Sequence, residues 1–182
     1  MASGGAQGLM GPALAVNHVG ITVPDIHAAI DWYAEVFGFH CIMGPRVLRA
    51  DSAATAETAS ILGPEFGMAY QAHLLSANGV GLELFQFVVP PVADAKPGLG
   101  YERRGPWHVC LTHPEVEDGV FRVVQNGGRQ LSPISEFVPG RPWRLVYCAD
   151  PWGTVLELMS HSYAEVFANW PQPGMQQETE YI

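Results

Sequence analysis

The chain contains a second copy of part of itself, and this repeat constrains the fold more than any other feature. His18-Val19-Gly20-Ile21-Thr22-Val23-Pro24-Asp25-Ile26 returns ninety positions later, without a gap, as His108-Val109-Cys110-Leu111-Thr112-His113-Pro114-Glu115-Val116. The register holds on to Phe37-Gly38 and Gly127-Gly128, and Leu82-Glu83-Leu84 returns as Leu156-Glu157-Leu158. Each half therefore opens on an apolar stretch with a histidine and closes on one with a glutamate.

Local patterns turn the two halves into elements. Ala15–Val23 is apolar and β-branched and stops at Pro24, which predicts a strand. Asp25 is placed to cap a helix whose apolar positions Ile26, Ala29, Ile30, Tyr33 and Phe37 follow helical spacing, with Gly38 to end it. His40–Leu48 and Met68–Ser76 read as strands, and Asn78-Gly79 signals a hairpin into Val80–Val88. After a Pro- and Gly-rich linker over 89–105 the pattern restarts. Strands are expected at Trp107–Thr112, near Arg129–Ser132, at Trp143–Ala149 and at Thr154–His161, with a helix over Glu115–Asn126. The organisation expected is a flexible lead over 1–13, modules over 14–88 and 106–161, and a C-terminal helix and tail over 162–182. A helix over Ser162–Trp170 would present Tyr163, Val166, Phe167 and Trp170. The fold class is α+β: two βαβββ modules forming a curved mixed-sheet cup. His18 and Glu83 are 65 positions apart but His108 and Glu157 only 49, and the difference falls in Arg49–Gly67. That excursion reads equally well as a functional lid or as a tolerated surface insertion.

Composition narrows the partners. The formal net charge is −9 and Lys96 is the only lysine, which argues against nucleic acid and anionic membranes. No apolar run approaches the ~18 residues of a membrane span. The three cysteines lack CxxC spacing, and the start lacks the basic and apolar regions of a signal peptide, so a reduced, cytoplasmic protein is expected.

Strand alternation separates the faces. Val19/Ile21, Leu82/Leu84 and Leu156/Leu158 form aliphatic faces suited to packing on helices. His18, Glu83, His108 and Glu157 turn the other way, toward a shared cavity. A carboxylate between leucines is costly to bury unless paired or metal-bound, and here two stand at equivalent places. These four are the candidate ligands of one divalent ion; imidazole with carboxylate suits Zn, Ni, Co, Mn or Fe(II). Phe85, Phe87 and Met159 share the glutamate faces and are candidates to line the substrate pocket. Trp107 alternates away from His108 and is expected in the core.

These residues resemble the vicinal-oxygen-chelate superfamily, also called the glyoxalase/bleomycin-resistance/dioxygenase fold. The matching motifs are the start at His18, Trp32-Tyr33-x-x-Val36-Phe37-Gly38-Phe39, Leu82-Glu83-Leu84-Phe85, and Asp150-Pro151-x-Gly153-x-x-Leu156-Glu157-Leu158. The resemblance implies a metal that chelates two neighbouring oxygens of a small carbonyl substrate. With all four ligand positions filled, it implies a glyoxalase I-like lyase or an acyl-CoA epimerase-like isomerase. Glu157 would be the base, with Glu83 the second choice. Thr22 stands where bacterial glyoxalase I carries an arginine for glutathione, and Glu83 stands where methylmalonyl-CoA epimerases usually carry glutamine. Two other readings stay open. One is an Fe(II) extradiol-type dioxygenase using His18, His108 and Glu157, with His73, His161, Tyr147 or Tyr163 as acid–base partner. The other is a metal-free binding or resistance protein. A homodimer is possible.

Overall fold

The computed structural model describes residues 14–94 and 97–168. The elements are β1 (His18–Thr22), α1 (Ile26–Phe37), β2 (His40–Arg49), α2 (Ala56–Ser60), β3 (Met68–Leu75), β4 (Gly81–Val89), β5 (Val109–Thr112), α3 (Val116–Gln125), β6 (Arg129–Gln130), β7 (Ser135–Glu136), β8 (Arg144–Ala149), β9 (Val155–Met159) and α4 (Tyr163–Phe167). They form a four-stranded sheet ordered β1-β4-β3-β2 and a five-stranded sheet ordered β5-β9-β8-β6, with β7 pairing β8. Both are mixed, and the α+β class expected from the repeat is the class observed. The expected lead over 1–13 lies outside the described residues, as do Trp170 and the tail.

The same physical steps build each half. Asp25 accepts from the amides of His27 and Ala28, which starts α1. Gly38 ends it in the left-handed region at φ 67, donating to Ala34 O. One face of α1 buries Ile26, Ala29, Trp32, Tyr33 and Val36, and one face of α3 buries Val116, Gly119, Val120 and Val123. Gly119 repeats the place of Ala29, and a Cβ there would stand 2.8 Å from Leu158. The first strand of each half then pairs parallel with the last, β1 with β4 and β5 with β9.

One hydrophobic core spans both halves, from Ile21, Leu82 and Leu84 to Val146, Leu156 and Leu158. Polar contacts join the halves across it. Trp32 Nε1 donates to Asn126 O at 2.9 Å, and Arg122 donates to Glu35 O at 2.9 Å. The Tyr33 hydroxyl donates to Asp150 Oδ2 at 3.0 Å, with Asp150 fully buried. Burial first, then the Asp150 charge and hydrogen bond, hold the Tyr33 phenol well above its usual range. Asp150 also accepts from the amides of Trp152 at 3.0 Å and Thr154 at 2.7 Å, which closes the β8–β9 turn.

Several expectations are corrected. The first strand begins at His18, leaving Leu14 and Val16 exposed. The fifth begins at Val109, so Trp107 and His108 precede it and escape strand alternation. The Arg49–Gly67 excursion contains α2, and Leu48, Ala59, Phe66 and Ala69 make a second small core there. β7 is an additional short strand. The C-terminal helix carries a capping box between Ser162 and Glu165. No helix among the described residues is long and apolar enough to cross a membrane.

Removing the Asp150 side chain leaves three donors without their acceptor, whereas removing the Tyr33 hydroxyl leaves the carboxylate its two amides. Asp150→Ala is therefore expected to cost roughly 3 kcal/mol or more, and Tyr33→Phe about 1–2 kcal/mol. Urea unfolding at constant slope measures both. Equal, small losses would show that this carboxylate does not join the halves.

Candidate functional site

The parallel pairing of first and last strands brings each histidine to its glutamate. Gly20 lies opposite Glu83 in the β1–β4 register, so His18, two residues earlier, is on the same face. His18 Nε2 is 3.4 Å from Glu83 Oε2. In the other half Cys110 lies opposite Glu157, and His108 Nε2 is 3.1 Å from Glu157 Oε2. Two ligands bound to one cation at about 2.1 Å and near right angles stand about 3 Å apart, so both separations suit donors that share an ion. The residue types fit as well. The structure thus brings together two pairs. It does not bring together all four, because no three or more His, Cys, Asp or Glu among the described residues converge to hold a metal.

A third residue completes each pair, and here the halves differ. His73 on β3 lies directly across from Glu83, with Nδ1 3.0 Å from Oε1. Its Nε2 is buried with no hydrogen-bond partner, and so is His108 Nδ1. On β8 the same register position is Tyr147, directly across from Glu157. Burial, followed by the Glu157 charge and a hydrogen bond to it, pushes the Tyr147 phenol up to about 12. Cys110 is exposed at the surface, yet desolvation, followed by the Glu157 charge and a hydrogen bond to it, also pushes its thiol up to about 12. Both groups are protonated at neutral pH and stand on the strands flanking a carboxylate that is only 7% exposed.

The aromatic surroundings depart from expectation. Trp107 packs edge-on against His108 with centroids 4.1 Å apart, and lies 5.2 Å from the Tyr147 ring. It belongs to the wall around His108 rather than to the opposite face. Phe85 and Phe87 stack at 5.5 Å and pack beneath the excursion, against the core of Ala59 and Phe66. Met159 is 4% exposed and sits in the core. His161 bonds Ser160, and Tyr163 is exposed beside Phe167; neither pairs with Glu83 or Glu157. Reasoning from the sequence thus missed Cys110 and Trp107 and did not separate His73 and Tyr147 from His161 and Tyr163. A signal existed: His73 and Tyr147 each precede their glutamate by ten residues across one tight turn.

The comparisons with known proteins agree with this fold. The family model described as the Glyoxalase/Bleomycin resistance protein/Dioxygenase superfamily matches residues 15–158. The chain is 28% identical over 165 residues to a 2-epi-5-epi-valiolone epimerase from Actinomyces sp, covering 81% of this chain and 80% of that one. Among solved structures, a glyoxalase family protein from Bacillus cereus superposes with TM-score 0.65 at 19% identity, over 83% of this chain and 96% of that one. A variant of the fosfomycin resistance protein FosX from Listeria monocytogenes, in complex with Mn(II), superposes at 0.52 with 15% identity, over 85% and 94% of the two chains.

The raised Cys110 thiol gives a direct check. A thiol whose value lies near 12 is protonated at pH 8, so in chelator-treated protein Cys110 is expected to react with a disulfide reagent roughly a hundredfold or more slower than an ordinary thiol. Glu157→Gln removes the charge that helps hold the proton and is expected to speed labelling, read by mass spectrometry. Unchanged labelling in that variant would separate Cys110 from Glu157.

Proposed function

Because the chain belongs to the glyoxalase/bleomycin resistance protein/dioxygenase superfamily, we propose that it is a divalent-metal-dependent isomerase of the epimerase type, moving a proton at a carbon beside the carbonyl of a small substrate. The observation that carries this reading is the imidazole–carboxylate pair recurring at equivalent places in both halves, each with its own hydrogen-bonding partner. The epimerase relative favours inversion of a centre over the other chemistries of the superfamily.

His18, Glu83, His108 and Glu157 would hold the ion, consistent with the manganese in the FosX relative. When bound, such an ion supplies stabilisation of the negative charge that develops on the substrate oxygens. The side chains do the rest. Glu157, nearly excluded from water, takes the proton, while Tyr147 and Cys110 hold its carboxylate in one orientation as neutral donors. Glu83, oriented by His73, is placed to return a proton from the other side. Since one chain presents two half-sets, the pairs are united between two copies. Exposed apolar residues Ile42, Met43 and Val47 along β2 support such a homodimer.

Elemental analysis before and after chelation is the first test, with about one Zn, Ni, Co or Mn per chain expected. Iron in that ratio, together with oxygen uptake on catechols, would move the assignment to a dioxygenase. No metal, even after reconstitution, would leave a binding protein. Glu157→Gln is expected to lower exchange of the proton beside a substrate carbonyl by a factor of about 10² or more in D2O; full exchange would remove Glu157 as base. Mixing chains carrying His18→Ala/Glu83→Ala with chains carrying His108→Ala/Glu157→Ala is expected to restore about a quarter of the wild-type activity, because half the dimers then hold one intact site of two. No restoration would place the site within one chain.

A further inference from the structure

β1 is an edge of the first sheet and β5 an edge of the second. A cavity of about 380 Å³ lies between them, with Val19 to Thr22 on one wall and His108, Val109 and the Gly153–Val155 segment on the other. The linker crosses it and contributes two consecutive arginines, Arg103 and Arg104, to its lining. The linker bends here through a turn in which the Arg103 amide donates to Gly100 O at 3.2 Å. The Arg103 guanidinium folds back over Gly100, where a Cβ would stand 3.0 Å from Nη2. Gly100 is at φ 79, in the left-handed region that favours glycine.

The disposition of charge is unusual for this chain. It carries nine Lys and Arg against eighteen Asp and Glu. Most of the described arginines are committed elsewhere: Arg46 to Gln71, Arg49 to Asp51, Arg122 to Asp118 and Glu35 O, Arg144 to Glu117, and Arg141 over Trp143. Arg103 has a loose, exposed contact with Glu102 at 3.8 Å, and Arg104 makes no ion pair among the described residues. Two guanidinium forks lining one cavity are suited to the several oxygens of a phosphoryl group, which they bind in bidentate fashion. The cavity is larger than an oxyanion alone needs, and its wall includes His108, whose Nε2 reaches Glu157.

We propose that this cavity binds a phosphate monoester on the substrate, so that Arg103 and Arg104 hold the anionic end while the carbonyl end meets the His108–Glu157 pair. The substrate class is then a small phosphorylated carbonyl compound. This rests on the isomerase reading for the role of the far end of the cavity, but the anion site stands on its own residues and is tested separately.

The experiment is calorimetric titration of inorganic phosphate into chelator-treated protein at fixed ionic strength, so that no metal is present to take the anion. Acetate serves as the carboxylate probe. Saturable phosphate binding is expected, with acetate at least tenfold weaker. Arg103→Ala/Arg104→Ala is expected to weaken phosphate at least tenfold with an unchanged thermal midpoint, since both side chains are exposed. Thr22→Glu, which adds a carboxylate to the opposite wall, is expected to weaken it similarly. Glu157→Gln is expected to leave it unchanged. Phosphate binding that is absent, or indifferent to the arginine and Thr22 variants, overturns the site. Acetate binding as tight as phosphate overturns the phosphate assignment in favour of a carboxylate. If phosphate binds as expected while Glu157→Gln keeps full proton exchange, the anion site stands and the isomerase reading falls.

Discussion

Each half of this protein depends on one constraint: a chain that leaves its first strand through a helix returns in its last strand parallel to where it began. In the β1–β4 and β5–β9 pairings this return fixes which residues meet. A histidine at the start of β1, or just before β5, meets a glutamate in the middle of the last strand, and the leucines beside that glutamate fall on the opposite face. The aliphatic face buries against α1 or α3, so the opposite face is what each half has free for chemistry. The histidine–glutamate pair is thus a consequence of topology, repeated because the topology is repeated.

Repetition made much of this legible before any coordinates. The two helices and the separation of Leu82 and Leu84 from Glu83 follow from alternation and spacing that occur twice, whereas the parallel closure of each half is seen only in the strand pairing. What stayed hidden depends on contacts between segments distant in sequence. Phe85 and Phe87 alternate as site residues should, yet the Arg49–Gly67 excursion folds over them. Trp107 lies beside His108 rather than across from it because β5 begins only at Val109, so strand alternation does not reach Trp107. The partners His73 and Tyr147 required knowing the register across a hairpin, which their shared ten-residue offset encodes but residue type alone does not.

The halves have diverged at the positions that touch the carboxylates. Glu83 has Gly20 on one side and His73 on the other, whereas Glu157 has Cys110 and Tyr147. An imidazole on one carboxylate and neutral high-value donors on the other give two chemically distinct groups from one ancestral position. A reaction that removes a proton at one face and restores it at another needs one group unprotonated and the other protonated, and different neighbours on the two carboxylates favour holding them in different protonation states.

Asp150 gives the duplication a further meaning. It closes the final turn of the second half and holds the phenol of a helix in the first, and the core is continuous across the same boundary. Each copy has therefore surrendered part of its own completeness to the other. A gene for either half alone would encode a sheet with half a core and a stranded polar group, so the ancestral single-module state is no longer reachable by simple deletion. The folding of each half is thus tied to the other, while the residues that touch the two carboxylates differ between them.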